Sequence, residues 1–155
     1  MNFDSIMSLL QDFDPSAIIP ELDTVLGWVE LATRLAVLAG PLVLLLLGLL
    51  YFLAPPKEAN HHVGFRALFG MGGVEAWQYT QRLSGICCGG LGLVLTVVMG
   101  LICSTFSGAE AQDMVETAIT CLWWELGLIA LCYAGINIAV LRRYDWKGNR
   151  RQQKK

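Results

Sequence analysis

The stretch LAVLAGPLVLLLLGLLYFLA, residues 35–54, contains no Asp, Glu, Lys or Arg. An α-helix rises about 1.5 Å per residue, so about 20 apolar residues cover the roughly 30 Å of hydrocarbon in a bilayer. A helix on the surface of a soluble protein would show polar residues along one face, and this stretch has no such pattern. It therefore predicts a transmembrane helix.

Two further stretches have the same character. Residues 84–109 carry no charge, and residues 117–141 carry only Glu125. Charged residues make up 15% of the 155-residue chain, against about 25% in soluble domains. We therefore predict an all-α fold, a three-span transmembrane bundle that forms a single membrane domain. The predicted segments are an external segment at 1–22, spans at 26–54, 84–106 and 117–141, a polar loop and helix at 55–83, and a basic tail at 142–155.

The N-terminal segment has a helical periodicity of its own. Residues 2–13 place Phe3, Ile6, Met7, Leu10 and Phe13 on one stripe, and Pro15 follows. This pattern predicts a short amphipathic helix at the membrane surface.

The signs of the charges separate along the chain. Residues 1–30 contain acidic residues but no Lys or Arg, whereas residues 142–155 are rich in Lys and Arg. Lys and Arg near the ends of spans favour the cytoplasmic side. We therefore expect a multi-pass protein of the inner or plasma membrane, with its N-terminus outside and with its C-terminus and residues 55–83 in the cytoplasm.

Small residues recur at every fourth position of the second span. They are Ser84, Cys88, Gly92, Thr96, Gly100 and Ser104. Glycine is unfavourable inside a soluble helix, but membrane helices use small residues where another backbone approaches closely. The pattern predicts a helix-packing seam that places the second span at the centre of the bundle.

The third span contains an ionisable group. Glu125 is predicted near the outer end of this span, Arg34 opens the first span, and Glu30 precedes Arg34 by four residues. A carboxylate inside a membrane is unfavourable unless it is paired or reaches water. We predict an intramembrane ion pair in which Glu30 and Glu125 share Arg34. The alternatives are a ligand or proton site near the outer face and an ion path through Glu125.

A polar segment, NHHVGFRALFGMGGVEAWQYTQRLSG at residues 60–85, separates the first two spans. Gly72 and Gly73 break the chain, and a helix is expected from about residue 74. Glu75 lies in its first turn, where a carboxylate suits the positive end of the helix. Arg66 can fold back onto Glu75, so the segment predicts a clamp built from an arginine, a glutamate and a tryptophan, Trp77.

Catalytic and metal-binding interpretations of this segment are weaker. His61 and His62 are adjacent, so their side chains point apart in a regular helix or strand, and no HxxxH spacing is present. The glycines near Gly70 lack the Lys-Ser/Thr ending of a phosphate-binding loop. No nucleophile has a base at a recognisable spacing. We therefore expect no catalytic residue, metal or cofactor, and a protein that is not an enzyme.

Nine positions of the segment, at their present spacing, match a family motif. They are Asn60, Gly64, Phe65, Arg66, Glu75, Trp77, Arg82, Ser84 and Gly85. With these residues the segment resembles the hallmark loop of the SdpI/YhfL family of small bacterial membrane proteins. The resemblance covers residues 60–85 and the span behind them, and it does not extend to residues 1–30 or to the basic tail. Ala67 stands where family members usually have Thr.

The resemblance implies a non-enzymatic membrane protein that gives immunity to, or senses, a secreted peptide toxin. An accessory structural subunit of a larger membrane complex is the alternative, and a small transporter and a membrane enzyme are weaker ones. The expected partners are the lipid bilayer and either a peptide toxin or another membrane protein, with a second copy of the chain also compatible. No nucleic-acid partner is expected.

Overall fold

In a computed structural model, residues 19–56, 64–68 and 70–151 are described. They form three long helices: α1 (Ile19–Leu53), α2 (Val74–Ser104) and α3 (Ala111–Arg143). Each helix is long and apolar enough to cross a membrane. The predicted all-α fold with three membrane-spanning helices is therefore confirmed. The predicted helix at residues 2–13 lies outside the described residues, as do Asn60, His61 and His62.

The helices extend beyond the apolar stretches that predicted them. The short helix expected within the polar segment and the second span form one continuous helix, α2. No Pro or helix-ending Gly separates the two parts, so the hydrogen-bonded ladder continues from polar into apolar sequence. α1 contains Pro41, which has no N–H to donate to the carbonyl of Val37 one turn earlier.

Helices α1 and α2 meet backbone to backbone at glycines. Gly48 of α1 lies directly against Gly89 of α2. A Cβ atom added to Gly92 would lie 2.5 Å from the backbone nitrogen of Leu45, and one added to Gly85 would lie 2.7 Å from that of Phe52. Only residues without a side chain permit this approach, which is the membrane use of small residues.

The small-residue seam follows the prediction for its first half only. Ser84, Cys88 and Gly92 are buried and Thr96 is half-buried, whereas Gly100 and Ser104 are exposed. Four residues turn a helix by about 400°, so each step overshoots a full turn by about 40° and the stripe winds away from its partner. A three-residue step from Gly92 to Leu95 corrects this drift, and the buried row then continues through Met99 and Cys103, so its average spacing is closer to 3.6 residues per turn.

Two apolar clusters close the bundle, one toward each end. The first contains Val37, Leu95, Met99, Cys103, Phe106, Met114, Ala118 and Cys121. The second contains Ala67, Ala76, Cys88, Ile136, Val140 and Tyr144. Residues of α2 belong to both clusters. The outward faces of all three helices carry large exposed apolar side chains, as expected when lipid is the solvent.

We expect Gly92→Leu to destabilise the protein and Gly100→Leu to leave it nearly unchanged. Leucine at position 92 would overlap the α1 backbone at Leu45, and overpacking of this kind typically costs about 1–3 kcal/mol. Nothing lies within 4 Å of a Cβ at Gly100. The melting temperature of the detergent-purified variants measures the difference. Equal losses at both positions would show that the regular four-residue stripe, and not the observed contact, is the packing surface.

Candidate functional site

The segment between α1 and α2 is held by a buried glutamine. The side chain of Gln81 is fully buried. Its Nε2 donates to the carbonyl oxygen of Phe65 at 2.9 Å, and its Oε1 accepts from the Phe65 backbone N–H at 2.8 Å. A carboxamide carries both a donor and an acceptor, so one side chain satisfies both backbone groups of Phe65, as a neighbouring strand would.

One turn earlier on α2, Trp77 fixes the same segment. Its ring is fully buried, and its Nε1 donates to the carbonyl oxygen of Pro56 at 2.8 Å. Gly64 lies against the ring with a φ of +125°, and a Cβ at that position would lie 2.6 Å from ring carbons. Position 64 therefore requires glycine both for its backbone conformation and for the space that the indole occupies.

Helix α3 contributes the third support through Asn137. Its Oδ1 accepts from the Leu68 backbone N–H at 2.9 Å, and its Nδ2 donates to the carbonyl oxygen of Tyr133 at 2.8 Å. The rings of Phe65 and Tyr133 pack with centroids 5.4 Å apart. We call residues 64–68 together with Trp77, Gln81 and Asn137 the amide clamp. It connects the inter-helix segment to α2 and α3.

The amide clamp differs in chemistry from the predicted clamp. Gly64, Phe65 and Trp77 take part as structural residues, and Gly85 is buried against the backbone of α1. The predicted charged members, Arg66, Glu75 and Arg82, lie at the surface. The buried connections use amides because an amide satisfies backbone groups without carrying a charge into an apolar site.

Sequence reasoning did not single out Gln81 as a site residue, although a signal for it exists. Trp77, Gln81, Ser84 and Cys88 follow one another at helical spacing, and all four are buried. A glutamine in line with a tryptophan and a small-residue stripe is a polar group on a packing face. Such a group needs a hydrogen-bonding partner.

The start of the basic tail forms a compact hairpin that follows α3. Tyr144 and Arg150 form an antiparallel bridge, and the Arg151 N–H donates to the Arg143 carbonyl oxygen at 3.0 Å. The Oδ1 atom of Asp145 accepts from the backbone N–H groups of Lys147 at 3.0 Å and Asn149 at 2.7 Å. The tail was predicted only as a charge signal, whereas the structure gives residues 144–151 a defined turn.

This hairpin packs against the start of α2. Gly148, with a φ of +77°, touches the backbone at Gly72 and Gly73, and a Cβ on Gly72 would lie 2.6 Å from the Gly148 nitrogen. The rings of Tyr79 and Tyr144 pack with centroids 5.6 Å apart. The Gly72-Gly73 break is therefore the contact point for the hairpin of the tail.

The opposite end of the bundle has a separate polar cluster. Nη2 of Arg34 lies 2.5 Å from Oε1 of Glu30 and donates to Oγ of Ser107 at 2.7 Å. The Ser107 hydroxyl also donates to Glu30 Oε1 at 3.2 Å. The cluster joins α1 to the turn between α2 and α3.

Glu125 does not share this arginine, which corrects the predicted three-residue ion pair. Its side chain is only 3% exposed, and its Oε1 atom has no hydrogen-bonding partner among the described residues. Its Oε2 faces Gly40, where an added Cβ would lie 2.9 Å away. Nη2 of Arg34 bonds to Glu30, one turn away on its own helix, and to Ser107, whereas its Nε has no hydrogen-bonding partner among the described residues.

No metal site is formed by the described part of the chain. Within it, no group of three or more His, Cys, Asp or Glu side chains could hold a metal ion. The five cysteines are free thiols on α2 and α3. His61 and His62 lie outside the described residues, so the expectation that they form no metal site stays a prediction.

Comparison with protein-family models, curated proteins and solved structures found no match for this chain. The resemblance to the SdpI/YhfL family therefore depends on the motif residues alone. Of these, Asn60 lies outside the described residues, and the others lie in the inter-helix segment or in the first four turns of α2.

We expect Gln81→Leu to destabilise the amide clamp and Gln78→Leu to have little effect. Leucine at position 81 leaves the N–H and carbonyl of Phe65 without partners, and each unsatisfied buried group costs about 1–3 kcal/mol. Gln78 lies on the same helix and is exposed, so it is a matched control. Thermal unfolding in detergent and protease cleavage at residues 64–68 measure the effect. Equal behaviour of the two variants would contradict a structural role for Gln81.

We expect Glu125→Met to raise the melting temperature. An apolar side chain of similar length removes a buried carboxyl group whose Oε1 has no hydrogen-bonding partner among the described residues, and a buried polar group left unsatisfied costs about 1–3 kcal/mol. Glu116→Met, at an exposed position of the same helix, is the control for a general effect of methionine. A marked loss of stability in Glu125→Met would instead indicate that the carboxyl group has a stabilising partner.

Proposed function

We propose that this chain is a non-enzymatic integral membrane protein that gives immunity to, or senses, a membrane-active peptide, as the SdpI/YhfL resemblance implies. The observation that carries the proposal is the amide clamp. Residues of the matching motif, Gly64, Phe65 and Trp77, pack in one unit with Gln81, which bonds to both backbone groups of Phe65. A motif used to hold backbone in place suits a binding or sensing protein, because catalysis needs reactive groups that converge on a substrate.

The clamp gives such a protein a means of connecting its helices. Pro56 follows α1, Gln81 belongs to α2 and Asn137 belongs to α3, and all three bond to the inter-helix segment or to Trp77. A peptide that displaced one helix within the bilayer would disturb bonds to the other two. By the positive-inside rule, this end of the bundle, with its basic tail, is the cytoplasmic one in our proposal.

An accessory role in a larger membrane complex is the second candidate, and outward-facing glycines favour it. Gly127 and Gly135 lie on exposed parts of α3, with nothing within 4 Å of an added Cβ. Glycine on the outer face of a membrane helix permits close packing of another helix. Purification in mild detergent that always yields this chain alone would argue against this candidate.

A survival assay tests the proposed function. The full chain is expressed in a sensitive bacterial host, which is then exposed to the secreted killing peptide of the family's namesake. We expect higher survival than with an empty vector, reduced survival with Gln81→Leu, and unchanged survival with Gln78→Leu. Immunoblots of membrane fractions ensure that the variants are compared at equal protein levels.

A second peptide separates specific immunity from general membrane protection. Melittin disrupts bilayers without a protein receptor, so the chain is expected to give no protection against it. Equal protection against both peptides, or survival no better than the empty vector at normal protein levels, would overturn the proposal.

A further inference from the structure

Four arginine side chains surround one surface depression where α3 ends. The depression is lined by Arg142 and Arg143 of the last helical turn and by Arg150 and Arg151 of the hairpin, and it encloses about 570 Å³. Among the described residues, no carboxylate lines it. We propose that this arginine cluster binds an anion that carries two phosphate groups, namely the headgroup of a diphosphate lipid.

The backbone fixes the spacing of the arginine cluster. The Arg151 N–H donates to the Arg143 carbonyl oxygen at 3.0 Å, and the bridge between Tyr144 and Arg150 joins the two sides of the hairpin. The nearest acidic residue in sequence, Asp145, directs its Oδ1 at the backbone N–H groups within the turn. The helical pair and the hairpin pair of arginines are therefore held opposite each other without an internal counter-ion in the depression.

An aromatic contact orients one member of the cluster. The guanidinium of Arg143 lies 4.5 Å from the ring centroid of Tyr79 on α2, and Tyr79 in turn packs on Tyr144. A cation over an aromatic face is attracted by the ring quadrupole and keeps its N–H edge available. The cluster is thus supported by two helices and the hairpin, and not by a flexible tail alone.

The chemistry of the cluster fits phosphate better than other anions. A guanidinium is planar and donates two parallel hydrogen bonds to phosphate oxygens. Two pairs of arginines on opposite sides match two phosphate groups better than one. Four positive charges held together also repel each other, and a multivalent anion relieves this repulsion.

The position of the cluster favours a lipid over a soluble anion. It lies at the end of a membrane-spanning helix, beside Trp146, which is 70% exposed. Tryptophan is enriched at membrane–water interfaces, so the arginines lie at headgroup level. Basic pockets beside membrane helices are known sites for diphosphate and inositol-phosphate lipids.

Native mass spectrometry of the full chain from nanodiscs tests the proposal. The nanodiscs contain phosphatidylcholine with a minor fraction of cardiolipin or, at equal total charge, phosphatidylglycerol. We expect retained cardiolipin on the native chain and about a thirtyfold loss for Arg150→Gln/Arg151→Gln. This fold-change corresponds to about 2 kcal/mol, or about 1 kcal/mol for each guanidinium that no longer donates hydrogen bonds to a phosphate group. Arg82→Gln/Lys147→Gln removes the same charge outside the depression and is expected to lose about threefold or less.

A charge-preserving variant separates a built site from general attraction. Arg150→Lys/Arg151→Lys keeps the charge but loses the bidentate geometry, so we expect an intermediate loss with an unchanged melting temperature. Equal retention by the lysine variant and the native chain, or equal losses in the two glutamine variants, would overturn the proposal. Binding of pyrophosphate in pure phosphatidylcholine nanodiscs, without a preference for cardiolipin, would overturn the lipid assignment in favour of a soluble diphosphate.

Discussion

The two hydrogen bonds between Gln81 and the backbone of Phe65 satisfy backbone polar groups at the place where the chain leaves its helical structure. A backbone N–H or carbonyl that leaves a helix next to the hydrocarbon has no water to bond to, and each unsatisfied group is costly. The chain must nevertheless leave α1 and enter α2. The carboxamides of Gln81 and Asn137 take the place of water at Phe65 and Leu68, so the non-helical segment can pack against the helices.

The hydrogen bonding of the clamp also explains which residue types occupy the neighbouring positions. The segment can approach α2 only because Gly64 leaves room for the Trp77 ring, and the ring can be buried only because Pro56 accepts from its N–H. The close contact of α1 and α2 at Gly48 and Gly89 brings both ends of the inter-helix segment near the same place. Glycine positions in the spans and polar positions in the clamp therefore belong to one structural unit.

The two ends of the bundle use polar groups in different ways. The clamp end satisfies its described buried amides, and its arginines lie at the surface. The other end contains the cluster of Glu30, Arg34 and Ser107, and it also contains Glu125. Neither Oε1 of Glu125 nor Nε of Arg34 has a hydrogen-bonding partner among the described residues. A complete network makes one end a structural support, whereas an incomplete one leaves a polar group inside the membrane, where such groups are commonly functional.

The sequence by itself determined the fold class, because uncharged stretches of membrane length have few other stable structures. It also indicated that residues 60–85 are structurally special, and it predicted a packing seam along the whole small-residue stripe, of which the structure buries the first half. Only the tertiary structure decided which residues bond to or pack against each other. The stripe separates from α1 beyond Thr96 because helical twist does not repeat every four residues. Among the described residues, Arg34 bonds to Glu30 and Ser107 and not to Glu125. Gln81 holds the backbone of Phe65 in the clamp, and the tail folds back onto Gly72. Periodicity and composition describe one helix at a time, whereas these contacts depend on which groups the packed helices bring within bonding distance of each other.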